Sequence, residues 1–146
     1  MTGLRRRPAA SRLTVALATA TVLSCGGGAA TSVPELIGTW EWVGTSGGIA
    51  GDSRLPGPDD PRVTVEFSAD GTATFRRDGE VARQQRYRLA SEGTIFASED
   101  QPVLYFDAED MGRVVRIDET GRTLTLSDNV YDGFSLEYRR VLPAAE

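Results

Sequence analysis

Apolar residues recur at every second position in short runs along this chain, and glycine-bearing turn signals separate the runs. That pattern admits antiparallel strands and little else. Successive side chains of a strand point to opposite faces, so a period of two marks a half-buried strand, whereas a helix needs a spacing near 3.6. From Arg62 to Ser68, Val63, Val65 and Phe67 share one face while Thr64 and Glu66 point away. Asp70-Gly71 turns the chain into Thr72 to Arg77, with Ala73 and Phe75 inward, and Asp78-Gly79 turns it again into Glu80 to Leu89. Asp-Gly between alternating runs is the strongest short-range hairpin signal. No stretch carries a convincing helical period.

The remaining runs are Ile37 to Thr45, Thr94 to Ala97, Pro102 to Phe106, Arg113 to Asp118, Arg122 to Leu126 and Phe134 to Leu142. Glu92-Gly93 and Thr120-Gly121 read as further turns. The expectation is all-β: an antiparallel up-and-down barrel of about eight strands, which removes the exposed edges an open sheet would leave. A two-sheet sandwich is the alternative. The segment from Ser46 to Pro61 is too long for a hairpin turn and holds Pro56, Pro58 and Pro61. Its Gly47-Gly48-Ile49-Ala50-Gly51 run is followed by neither a helix nor a lysine, so it is a lid or a tight corner rather than a phosphate cradle.

Ahead of this pattern, Arg5-Arg6-Arg7 precedes an uncharged apolar run from Leu13 to Leu23. These are the parts of a secretory signal, and the run is shorter than the roughly 20 residues a membrane-spanning helix needs. Pro8 and Ala9, rather than a bulky apolar pair, follow the arginines, which points to a general secretory rather than a twin-arginine signal. Val22-Leu23-Ser24-Cys25 resembles the lipobox of bacterial lipoproteins. The resemblance implies that residues 1–24 are removed as a signal peptide and that Cys25 carries acyl chains such as palmitate. Residues 25–33 then form a flexible tether and 34–146 the barrel domain, held on the periplasmic or extracellular side of a bacterial envelope membrane. Cys25 is the only cysteine, so the mature chain can form no internal disulfide.

The remaining 122 residues suit one domain. Four of the 16 arginines leave with the signal, so 12 face 21 carboxylates, a formal charge of −9. That balance argues against a nucleic-acid partner. Histidine is absent, which removes Ser-His-Asp and Cys-His catalysis and the common zinc and non-haem iron ligand sets. Asp107, Glu109 and Asp110, like Asp128, Asn129 and Asp132, lack the spacing of an EF-hand loop and read as solvated turn residues rather than a metal site. No carboxylate pair is singled out for hydrolysis. The chain is therefore expected to be a non-enzyme that needs no cofactor.

Gly38-Thr39-Trp40 at the start of the first strand resembles the Gly-x-Trp signature of lipocalins and related calycins. In that family the tryptophan closes the base of the barrel beneath an arginine from the last strand. Here Phe134, Leu136, Tyr138, Arg140 and Leu142 alternate onto one face of the last run, so the resemblance gives Gly38, Trp40 and Arg140 the role of barrel closure. The string from Gly38 to Gly51 also resembles a group of bacterial lipocalin-like lipoproteins. The fold then implies a monomer that binds a small apolar or amphipathic ligand in a cavity lined by Trp42, Phe67, Phe75, Tyr87, Tyr105 and Tyr138, with the segment after the first strand over its mouth. A protein-binding or inhibitor module of the cell envelope is the alternative.

Overall fold

The computed structural model describes residues 32–143; the expected export signal, Cys25 and most of the expected tether lie outside them. A 3-10 turn, Pro34–Leu36, leads into nine strands: β1 (Gly38–Gly47), β2 (Asp52–Arg54), β3 (Val63–Phe67), β4 (Thr72–Arg77), β5 (Glu80–Thr94), β6 (Ala97–Phe106), β7 (Arg113–Ile117), β8 (Thr123–Asp128) and β9 (Phe134–Arg140). They form one sheet in which β1, β3, β4, β5, β6, β7, β8 and β9 pair in sequence order, and β9 returns to pair with β1. All neighbours are antiparallel. The fold is a closed eight-stranded up-and-down barrel, not a sandwich, and β2 is a short extra strand on the end of β1.

The Asp-Gly hairpins stand where alternation puts them. Gly71 and Gly79 have φ of +83° and +85°, the left-handed region that glycine enters without steric cost. Between β1 and β2, Gly47-Gly48-Ile49-Ala50-Gly51 makes a tight corner in which Gly51 N donates to Gly48 O (3.0 Å) and Gly48 N to Gly133 O (3.1 Å). Gly47 has φ +130°, and a Cβ there would sit 2.3 Å from Gly133 O, so position 47 admits no side chain.

Glu92-Gly93 is not a turn, and Thr94 to Ala97 is not a separate strand. β5 runs on through a register irregularity between Glu92 and Thr94, and the hairpin turns at Ile95-Phe96. Beyond Pro102 this hairpin leaves the barrel wall, since β6 meets β7 only at Val103↔Val114 and Leu104↔Arg113. It folds back over the outside. Ile95 N donates to Asn129 Oδ1 (3.0 Å), and the Arg116 guanidinium lies 5.3 Å from the Phe96 ring centre. Val103 and Val114, on the outer side of their strands, are thereby fully buried.

One end of the barrel is closed and packed. Leu36, Trp40, Val65, Phe67, Leu104 and Leu124 are fully buried there, each contributing about 1.5–3 kcal/mol by burial. Phe67 meets Tyr87 edge-on at 5.2 Å and stacks on Phe106 at 6.4 Å. Trp40 Nε1 donates to Leu36 O (2.8 Å), and the Arg140 guanidinium lies 4.1 Å from the Trp40 ring centre. Arg140 donates Nε to Gly121 O (2.7 Å), Nη1 to Ile37 O (3.0 Å) and Nη2 to Glu35 O. Gly38, at φ +130°, leaves room for this guanidinium, because a Cβ would stand 2.9 Å from Nη1. The last strand differs from expectation at both ends: Phe134 is 44% exposed, and Leu142, beyond the end of β9, is 58% exposed.

Hydrogen bonds to a charged donor contribute about 1.5–3 kcal/mol each and the cation–π contact about 1 kcal/mol more. Two of the three bonds are exposed to solvent and count for less, so replacing Arg140 by Met, which keeps the bulk but no donor, should cost about 3 kcal/mol and lower Tm by about 10 °C. Lys, which lacks the planar fork, should restore less than half of the loss. Thermal melts followed by circular dichroism check both values.

Candidate functional site

The opposite end of the barrel is open, and the site is built where β1, β3, β4, β5 and β9 reach it. Two bulges shape it. In β1 the pairing with β9 steps from Trp42↔Tyr138 to Gly44↔Glu137, so Val43 is the extra residue and Thr45, opposite Leu136, turns inward beside Trp42. Trp42 Nε1 donates to Thr45 Oγ1 (3.0 Å). In β5 the pairing with β4 steps from Phe75↔Arg83 to Arg76↔Val81, with Ala82 extra. Bulges re-aim side chains in this way and gather at barrel rims. The second one sets Arg83 over the Phe75 ring at 4.4 Å.

A cavity of about 270 Å³ opens between these strands, lined by Trp42, Thr45, Val63, Leu136 and Tyr138 below and by Arg54, Asp60, Pro61 and Arg77 at the rim. Arg54 comes from β2, whose guanidinium lies 5.6 Å from the Trp42 ring centre and 3.6 Å from Asp60. Asp60 is held by a turn in which Gly57 N donates to its carboxylate (2.9 Å). That hydrogen bond, with the nearby Arg54 and Arg77 charges, keeps its carboxyl below the usual carboxylate range. The segment after β1 thus roofs part of the mouth, through β2 and this turn. Beneath, a compartment of about 90 Å³ continues inward between Phe75, Phe106, Leu126, Arg83, Glu109 and Arg113, and shares Leu136 and Tyr138 as its wall with the outer cavity.

Arg113 is committed to structure. It contacts Glu109 at 2.6 Å and donates Nε to Asp128 at 3.1 Å, while Asp128 also accepts from Phe134 N (3.0 Å). The acidic turns 107–110 and 128–132 therefore contribute ion-pair partners here, and no group of three or more potential ligands stands ready for a metal among the described residues.

Of the six aromatic residues expected to line one cavity, the structure brings Trp42, Phe75 and Tyr138 together at the open end. Phe67 lies in the packed core of the closed end. Tyr87 packs beside it and donates its hydroxyl to Ser68 O (2.8 Å), with burial raising its pKa. Tyr105 is outside the barrel. The Arg88 guanidinium stacks on its ring at 4.0 Å, and its hydroxyl donates to the Glu92 carboxylate, which raises the pKa of the phenol. Sequence reasoning left out Val63, Arg77, Arg83 and Leu136 as lining residues, although Val63, Arg77 and Leu136 belong to or continue inward series already read; no face was assigned to Glu80 to Leu89, which holds Arg83.

Three larger hollows, of about 380, 390 and 510 Å³, flank the closed end, and the first and last share Val33. Their walls combine the entering chain segment and turns with strand residues such as Leu89, Pro102 and Val115, and Tyr87 is the single aromatic side chain that lines them. No family model, no curated protein and no solved structure matches this chain.

Tyr138 is 6% exposed, and burial pushes its pKa up to about 12 against an ordinary 10. Between these values the unfolded phenol is ionised and the folded one is not, so the folded state binds more protons and stability falls as pH rises from 10 to about 12. The loss should be on the order of 2–3 kcal/mol. Urea titrations across that interval should show it in the parent chain, and Tyr138→Phe should flatten the corresponding part of the pH dependence.

Proposed function

We propose that this chain is a lipid-anchored, non-enzymatic binding protein of a bacterial envelope that takes up a small apolar or amphipathic molecule in the open end of its barrel. The observation that carries the reading is the mouth cavity, where Trp42, Val63, Leu136 and Tyr138 form an apolar floor beneath a polar rim. Ligand sites are concave and mostly apolar, with a few placed polar groups that fix orientation. At about 270 Å³ the cavity lies at the small end of such sites, so the ligand is small. Resemblance to bacterial lipocalin-like lipoproteins, carried by Gly38-Thr39-Trp40 and the arginine of the last strand, supports the same reading.

A second reading, docking of a protein partner on the rim, is favoured by one observation. Ile49 and Tyr131 stand 90% and 82% exposed on adjacent corners joined through Gly48 N and Gly133 O.

Leu136→Trp overfills the wall shared by the two compartments. The chain isolated from its native envelope should show a removable small adduct in native mass spectrometry; Leu136→Trp should lose it, and Val81→Trp, at an exposed outer position, should keep it. The anchor is tested separately: Cys25→Ser should move the protein from the membrane to the soluble fraction, and retention in the membrane would refute lipidation at that residue.

A further inference from the structure

We infer that the polar end of the mouth ligand is an anion, a carboxylate on a short apolar chain or ring, received by Arg83 and Arg77 beside the Tyr138 hydroxyl. The inference rests on the mouth being a ligand cup and adds the chemistry of what fills it. The charged groups around the two compartments are four arginines, Asp60, Glu109 and the neighbouring Asp128. Each carboxylate is matched. Asp60 pairs with Arg54 at 3.6 Å, and Glu109 and Asp128 both pair with Arg113, at 2.6 and 3.1 Å.

Among the described residues no carboxylate lies within 4.0 Å of either Arg77 or Arg83. Both occupy inward positions of their strands at the open end, Arg77 in the series Ala73, Phe75, Arg77 and Arg83 opposite Phe75. Arg83 rests one face on the Phe75 ring, which fixes the plane of the fork and leaves its N–H edges free to meet two carboxylate oxygens. A chain with 21 acidic residues and a net charge of −5 thus presents two guanidinium groups without an ion-pair partner within 4.0 Å at the open end of its barrel, Arg77 acting on Asp60 only at longer range.

Tyr138 supplies the third contact. Its ring lines both compartments, and among the described residues its hydroxyl makes no hydrogen bond with a side chain or backbone group. A phenol that stays protonated through the neutral range donates its hydrogen to an anion, and the two guanidinium groups beside it set the sign of the charge that the mouth prefers. Size is limited as well. At about 30 Å³ per water-sized group, the outer cavity holds about nine such groups and the inner about three. A chain of about eight carbons with a carboxylate fits; a long-chain phospholipid does not.

The test is isothermal titration calorimetry of the full chain carrying Cys25→Ser, in detergent-free buffer, with octanoate, 1-octanol and octylammonium. These share chain length and differ in head charge. Octanoate should bind about tenfold more tightly than octanol, with octylammonium weakest. Arg83→Gln together with Arg77→Gln should abolish the advantage of octanoate over octanol, and the octanol binding that remains shows that the cup is still folded. Equal affinity for octanoate and octanol in the parent chain would overturn the anion assignment and leave the cup standing. Discrimination that survives in the double variant would overturn the roles of the two arginines. No binding of any of the three would remove both the cup and the inference built on it.

Discussion

Arg140 brings a full positive charge to the closed end of the barrel with no carboxylate within 4.0 Å among the described residues. The side chain is only partly buried, but a charge drawn toward a barrel interior is still costly unless it finds partners. Here the cost is offset by the carbonyl oxygens of Glu35, Ile37 and Gly121 and by the face of Trp40. Those groups belong to three different parts of the chain: the entering 3-10 turn, β1 and the turn between β7 and β8. One side chain on the last strand therefore fixes the start of the first strand, orients the largest residue of the core and holds the seam where the sheet meets itself. Trp40 can be fully buried because its indole N–H reaches Leu36 O, and Leu36 is held in turn by the carbonyls that Arg140 binds on either side of it.

That closure gives the barrel two unlike ends. At the closed end, strands pair in regular register around an apolar plug. At the open end both irregularities, Val43 in β1 and Ala82 in β5, add a residue and change which side chains point inward. The interior accordingly grades from Leu36, Trp40 and Phe67, through the partly accessible Trp42, Phe75 and Leu136, to arginines and carboxylates at the rim. Rigidity below holds the mouth in shape, because a cavity whose floor is continuous with a packed core resists collapse.

How much of this was written in the alternation of the sequence differs from strand to strand. Thr72–Arg77 is read to the residue, because Asp70-Gly71 and Asp78-Gly79 bracket a clean inward series. The juxtaposition of Gly38, Trp40 and Arg140 follows from resemblance, and the structure sets the three in contact. Alternation fails in β6 because Val103-Leu104-Tyr105-Phe106 is apolar on both sides: Leu104 and Phe106 face the core, while Val103 is buried from outside by the folded-back hairpin. Tyr105 was misplaced for that reason. Depth along the axis is also absent from a period-two pattern, so Phe67 and Phe75 look equivalent although one plugs the base and the other borders the cup. Glu92-Gly93 carries turn chemistry and forms a strand irregularity instead, since only the tertiary clasp between Ile95 and Asn129 determines where that hairpin ends.

The seam between β1 and β9 has a consequence for how the molecule comes into being. Trp40 and Arg140 are partners on the adjacent strands β1 and β9 yet stand at opposite ends of the domain in sequence, and a ribosome delivers them in order. Hairpins from β3 onward can form as they emerge, because each pairs with its immediate successor. They assemble into a curved open sheet whose inner face is unsealed and whose first strand has one free edge. Until the last strand arrives, the charge that organises the base is missing and the tryptophan it covers is wet. Long-range closure of this kind is the slow, late event of folding, so the shape of the cup is decided by the final few residues to appear.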